Sequence, residues 1–377
     1  MQRIPSSGAL LSLAAVLAGL ALPAAAATFA VTNLVTDDQV AHAAQITDPQ
    51  LVNAWGLSNS ASGPFWVSSN GFGASTLYSV NGATQVTSKV GLTVAIPGAG
   101  NVTGQVFNGN AASAFGGNVF LFVSEDGTVS GWRAALGSTA ETLAPASDAN
   151  VYKGAAFATI AGSSYLYAAN FRSGTIDVGK GDAAAPVLTG TFADATLPAG
   201  YAPFNVQNLA GSLYVAYAQQ DADKKDEIAG AGLGIVDHFD LQGNLLGRVA
   251  TGGTLDAPWG LAIAPASFGP WAGALLVGNF GDGRINAFDA GNDAFLGQVL
   301  GANGLPLAID GLWALAPGNN GTAGSSQLLY FTAGPDGERH GLFGVLTPVP
   351  EPATYALLAM GFALVGAAAR RRASGGG

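Results

Sequence analysis

The chain has 377 residues, no cysteine, 24 acidic residues against 14 basic ones, and a formal net charge of −10 at pH 7. That balance argues against nucleic acid and anionic headgroups as partners of its charged surface. The lack of thiols excludes disulfides, so stability must come from a packed core or bound ions. Only 10% of residues are charged while 55 are glycine, a composition rich in turns and strands and poor in helix formers.

In chain order, Arg3, the apolar run Ala9 to Leu22 and the small residues Ala24 to Ala27 predict a cleavable secretory signal peptide over residues 1–27. Phe29 to Val35 then reads as a strand with no hairpin partner of its own. Further on, Val119 to Val123, Tyr165 to Tyr167, Leu213 to Tyr217, Leu275 to Val277 and Leu328 to Thr332 are short, β-branched or aromatic runs bounded by Gly, Asn, Asp or Ser. They read as buried strands.

Two of these runs lead into near-copies of one motif, Ala169 to Val178 and Gly278 to Ala287, whose Asn-Phe pairs begin at Asn170 and Asn279. Looser copies occur at Ser69 to Leu77, Ser124 to Val129 and Ala333 to Gly337, each a strand, a Gly-containing turn and a second strand. A shorter run precedes each hairpin: Ala54 to Leu57, Gly109 to Ala112, Gly154 to Phe157, Phe204 to Val206, Pro258 to Ile263 and Gly311 to Leu315. Six starts at a spacing of roughly 45 to 55 residues predict an all-β, six-bladed β-propeller over residues 28–348, with the short runs innermost. The last blade lacks an outer strand, and Phe29 to Val35 is expected to supply it, closing the ring and removing an exposed edge.

Loops that lead into the inner strands of such a ring converge on one mouth of its channel. The residues just before the predicted inner strands are Asn53, Asn108, Lys153, Asn205, Asp256 and Asp310. Asn53, Asn108, Asn205 and Asp310 offer the oxygen ligands that a hard cation such as Ca²⁺ prefers. Asn and Asp also cap turns at strand starts, and Lys153 is able to neutralise the carboxylates without metal. Trp55, Trp259 and Trp313 recur at one blade position, either as inter-blade core or as a stacking platform for a sugar. The only dense charge cluster of the body, Gln219 to Ile228, reads as a solvated loop or as a lid over the mouth; it lacks the glycine and closing Glu of an EF-hand. His42, His238 and His340 show no metal-ligand spacing, and zinc is disfavoured.

The chain ends with Val349-Pro350-Glu351-Pro352, an apolar run from Ala353 to Ala369, and Arg370-Arg371-Arg372. That run is near the lower limit for spanning a hydrocarbon layer of ~30 Å, and the arginines would stay cytoplasmic. A transmembrane helix with a label before it is therefore expected over residues 349–377.

This tripartite tail resembles the PEP-CTERM sorting signal of Gram-negative bacteria. The resemblance implies a transient inner-membrane anchor, cleavage near Pro350 by an exosortase, and release toward the cell surface or an exopolysaccharide matrix. The body resembles a PEP-CTERM-associated bacterial family related to NHL and SMP-30-like propellers, through Leu51 to Leu57, Pro64 to Val67, Ala257 to Leu261, Leu276 to Asp289 and Ile309 to Trp313. In SMP-30-like lactonases a Glu, two Asn-like groups and an Asp hold a channel metal, and no Glu stands at a matching position here. Two functions follow as expectations: a non-enzymatic binder of exopolysaccharide or another envelope component, or a cation-dependent lactonase or related hydrolase acting at the channel mouth.

Overall fold

A computed structural model describes residues 27–349 and Gly361. The expected signal peptide, apart from Ala27, and the sorting segment from Pro350 onward, apart from Gly361, lie outside the described residues. Among the described residues no helix is long and apolar enough to cross a membrane.

Six antiparallel sheets follow one another along the chain. Blade one comprises Ala54–Asn59, Phe65–Ser69, Ala74–Val80 and Thr87–Ala95. Blade two comprises Val102–Phe107, Phe120–Ser124, Val129–Trp132 and Glu141–Ala144. Blade three has only Tyr152–Ile160, Ser163–Asn170 and Thr175–Lys180. Blade four comprises Tyr201–Leu209, Ser212–Gln220, Ile235–Phe239 and Leu245–Thr251. Blade five comprises Pro258–Ile263, Leu275–Asn279, Ile285–Phe288 and Phe295–Gln298. In blade six, Leu312–Pro317, Leu329–Ala333 and Leu342–Val349 are completed by Thr28–Thr36.

Two details depart from the sequence expectation. The inner strand of blade two is Val102–Phe107, and Gly109 to Ala112 instead forms the turn that follows it. Blade three has no fourth strand: the Pro- and Gly-containing segment after Lys180 crosses to blade four, where Gly190 N–H donates to Gln242 O and Phe192 N–H to Gly243 O. The buried Phe192 ring packs against Tyr167.

Every inner strand carries a register shift near its start, at Ala54/Leu57, Val102/Gln105, Tyr152/Gly154, Pro203/Asn205, Pro258/Gly260 and Leu312/Leu315. An extra residue there bends the strand toward the axis. The shifts align the blades and place Trp55, Thr103, Lys153, Phe204, Trp259 and Trp313 at one level. The next position is Gly56, Gly104, Gly154, Asn205, Gly260 and Ala314. Neighbouring backbones crowd this second level: a Cβ on Gly104 would lie 2.6 Å from Ala155 N, and one on Gly154 would lie 2.8 Å from Asn205 Cα. Glycine is needed here because a neighbouring blade occupies the space of a side chain.

The ring closes as the sequence predicts. Thr28–Thr36 pairs antiparallel with Leu342–Val349, from Thr28 opposite Val349 to Thr36 opposite Leu342. Phe29 is 1% exposed and its ring centroid lies 4.3 Å from that of Phe268. Two histidine–carboxylate contacts pin the far end, His340 to Asp37 at 3.0 Å and His42 to Asp336 at 2.8 Å. Replacing Phe29 with Ala should lower the unfolding free energy by about 3 kcal/mol in urea titrations. The same change at Val40, 97% exposed, should be neutral within about 0.5 kcal/mol.

Candidate functional site

The channel has a top mouth, where the inner strands begin, and a bottom mouth, where they end. At the top, the axial level is filled. Trp55, Lys153, Phe204, Trp259 and Trp313 are at most 2% exposed. Trp55 and Trp313 stack with centroids 3.6 Å apart, and Phe280 covers Trp313 at 4.1 Å. The Trp313 indole N–H donates to Asn53 Oδ1 at 2.9 Å, and that of Trp259 to the Lys153 carbonyl at 3.0 Å. These three tryptophans are inter-blade core.

Above the stack runs a polar network contributed by five blades. Glu338 Oε2 accepts from Asn53 Nδ2 at 2.6 Å, and Asn53 Nδ2 also reaches Asn70 Oδ1 at 3.3 Å. Asn70 Nδ2 donates to Glu125 Oε2 at 3.4 Å. Lys153 Nζ, 5.1 Å from the Trp55 ring centre, donates to Glu125 at 2.6 Å and to Asp226 at 3.1 Å. Burial alone would lower the Lys153 pKa, but Glu125, Glu227 and Asp226 outweigh it, so the ammonium stays charged. Backbone strain gathers at the same mouth: Asn53, Ala257, Asp336 and Glu338 all have positive φ, of 47°, 43°, 56° and 66°.

The charged segment 219–228 contributes directly to this lid. Glu227–Ile228 pairs with Gln219 and Gln220 as an extension of blade four, which sets Asp226 on Lys153. Gly230 N–H donates to Asp256 Oδ1 at 2.7 Å, tying the segment to blade five. Loss of solvent pushes the half-buried Glu227 carboxyl up to about 7, against the pull of Lys153. Burial raises Glu338 as well.

The candidate cation ligands sit at different levels. Asn53 stands two residues before the axial level and Asp310 three, whereas Asn205 falls one beyond it. Asn108 follows the end of its strand, at the bottom. Their oxygens already accept hydrogen bonds: Asn53 from Trp313, Asn205 from Val206 N–H, Asn108 from Asn110 N–H, and Asp310 from Asp336 N–H. No hydrogen bond joins any two of the four. Among the described residues no group of three or more His, Asp or Glu side chains has a geometry suited to a metal ion.

The bottom mouth is open and uncharged. A cavity of about 360 Å³ is lined by Ser58, Asn59, Gln105, Phe107, Phe157, Gln207, Asn208 and Pro317, from five blades. Gln105 donates to Gly56 and Trp66 carbonyls and Asn208 to that of Phe157. The Ser58 hydroxyl is buried without a partner, and among the described residues the Gln207 amide makes no hydrogen bond. This mouth offers amide groups beside Phe107 and Phe157, with no acid or base.

The lid gives a pH signature. Glu227 titrates near 4.5 when unfolded and near 7 when folded, so the folded state retains a proton that the unfolded chain releases. Its contribution is complete below about pH 4.5 and is lost as pH rises through 7. Discounted for partial exposure, Glu227→Gln should stabilise the protein by about 1 kcal/mol at pH 8 and leave it unchanged at pH 4. Denaturant titrations at the two pH values measure this difference.

Residues 348–372 match the PEP-CTERM protein-sorting motif, which implies export, a membrane-anchored stage and exosortase processing. Over 337 residues the chain is 32% identical to the uncharacterized protein R648 of Acanthamoeba polyphaga mimivirus, covering 85% of this chain and 80% of the relative. It is 31% identical to that virus's uncharacterized protein L690, covering 85% and 86%. Among solved structures, an α-L-arabinofuranosidase from Fusarium graminearum in complex with an iminosugar inhibitor is similar at a TM-score of 0.55 and 10% identity, covering 85% of this chain and 98% of that one. The soluble aldose sugar dehydrogenase of Escherichia coli is similar at 0.50 and 15%, covering 85% and 100%. At such identities the structural likenesses show the propeller fold alone. The chain belongs to the family that includes these two mimivirus proteins, and it closes with a PEP-CTERM sorting motif.

Proposed function

We propose that the protein is an exported propeller that, after exosortase has removed its tail, binds exopolysaccharide or a similar neutral envelope glycan at the surface of a Gram-negative cell. The observation that carries this reading is the bottom cavity. Its uncharged lining, with the unpartnered Gln207 amide beside Phe107 and Phe157, suits a polyhydroxylated, uncharged ligand. Sugar hydroxyls exchange hydrogen bonds with amides, and the faces of the ring pack on phenyl groups. The cavity holds no titratable side chain to act as general acid, base or nucleophile, which favours binding over catalysis. The mouth with carboxylates is filled by Lys153 and the tryptophan stack.

The released body, residues 28–349, should bind exopolysaccharide from a native host in calorimetric titrations. Gln207→Ala and Phe157→Ala should each weaken binding about tenfold, the equivalent of about 1.4 kcal/mol. Glu227→Gln should not change it. Absence of binding, or binding indifferent to both cavity substitutions, would refute the reading.

A further inference from the structure

The register of the closing ladder places the two ends of the exported body side by side. Thr28, the first residue after the expected signal-peptide cleavage, is paired with Val349, the last described residue before the Pro-Glu-Pro motif. Thr28 and Phe29 are also paired, on their other side, with Leu300 and Gly301. The apolar run of the tail begins at Ala353, four residues beyond Val349. A chain of that length reaches at most about 14 Å. While the protein is anchored, the Thr28/Val349 end of the outer edge of blade six is therefore held within about 14 Å of the bilayer interface.

That edge is built from uncharged segments. Residues 28–36, 294–309 and 341–350 contain no Asp, Glu, Lys or Arg. Val31 is 38% exposed and Leu305 62%. A shallow groove of about 470 Å³ beside the closing strand is lined by Val31, Ala302, Pro306 and Leu307 among others. Leu305 lies on the same turn, where Gly301 N–H donates to its carbonyl. An acidic domain close to an anionic bilayer is repelled wherever it presents carboxylates, whereas an uncharged apolar rim is free to enter the interfacial region.

We propose that this rim, Val31 with the turn Gly301 to Pro306, is a membrane-seating surface. Before processing it rests in the lipid interface, holding the propeller in one orientation and presenting the cleavage segment at a fixed height. Once the tail is cut, the small apolar area is too weak to hold the body, which leaves the membrane. The occupant is the lipid interface, because the tether brings the bilayer to this edge.

The chain has no native cysteine, so single-cysteine reporters are clean. Leu305→Cys, Val31→Cys and, in the segment that crosses from blade three to blade four, Val187→Cys, whose wild-type side chain is 81% exposed, would be labelled with an environment-sensitive fluorophore. The full tailed chain would be reconstituted in nanodiscs of phosphatidylethanolamine and phosphatidylglycerol. Headgroup-nitroxide lipid should quench the reporters at 305 and 31 by about twofold or more and leave 187 unaffected. The untailed body should show no quenching at any site. Equal quenching at all three positions, or none, would overturn the proposal. Shielding of 305 from water without lipid quenching would overturn it too, by assigning the rim to a second copy or to the tail.

Discussion

The constraint on which this structure depends is the antiparallel ladder between Thr28–Thr36 and Leu342–Val349. Blade six is assembled from both ends of the chain, so the ring exists only when a strand from the start of the body finds one from its end, more than three hundred residues away. Such a contact is slow to form because loop-closure entropy must be overcome first. Once formed, it covers the edge of Leu342–Val349 and fixes all six inner strands around one axis. Everything described at the two mouths follows from that fixed geometry. So does the meeting of both chain ends at one edge.

A second consequence concerns the axis. The register shift at the start of each inner strand and the crowding at Gly104 and Gly154 pull the backbones close. Bulky groups are thereby confined to a single level, where Trp55, Trp313 and the Lys153 stem close the channel. The two mouths become chemically independent. The top is a charged lid, balanced by one buried ammonium and locked through Glu125, Asp226 and Glu338. The bottom is an uncharged recess with the unpartnered Gln207 amide in its lining. A buried charge that loses its partner is costly, so the lid is suited to rigidity, and ligand exchange is better served by the bottom.

Much of the fold is legible in the sequence because it rests on local patterns. The Asn170 and Asn279 motifs mark equivalent hairpins, and the unpartnered strand Phe29 to Val35 reveals the closure. Less of the site is legible. Gly109 to Ala112 imitates an inner strand in composition, whereas the true strand begins with Val102 and Thr103 and offers only Gly104 as a signal. That displacement carries Asn108 to the opposite mouth. Extra residues at the strand starts similarly put Asn53, Asn205 and Asp310 out of step. Glu125 and Glu338 come from hairpin turns and converge on Asn53 and Lys153 only in three dimensions. Glu125 does have a sequence signal, since Ser124-Glu125 occupies the place that Asn170-Phe171 and Asn279-Phe280 hold in their blades. The missing fourth strand of blade three reflects Pro186, Pro198 and their small neighbours, which favour a crossing segment over a ladder.

Native-state hydrogen exchange on the released body tests the central claim most directly, through the ladder amides of Ala30, Thr32 and Val345. If the ring depends on this closure, these amides exchange only with global unfolding and share the slowest class with Leu329–Ala333. Faster exchange of the ladder by local opening, with the other five blades still protected, would contradict the account.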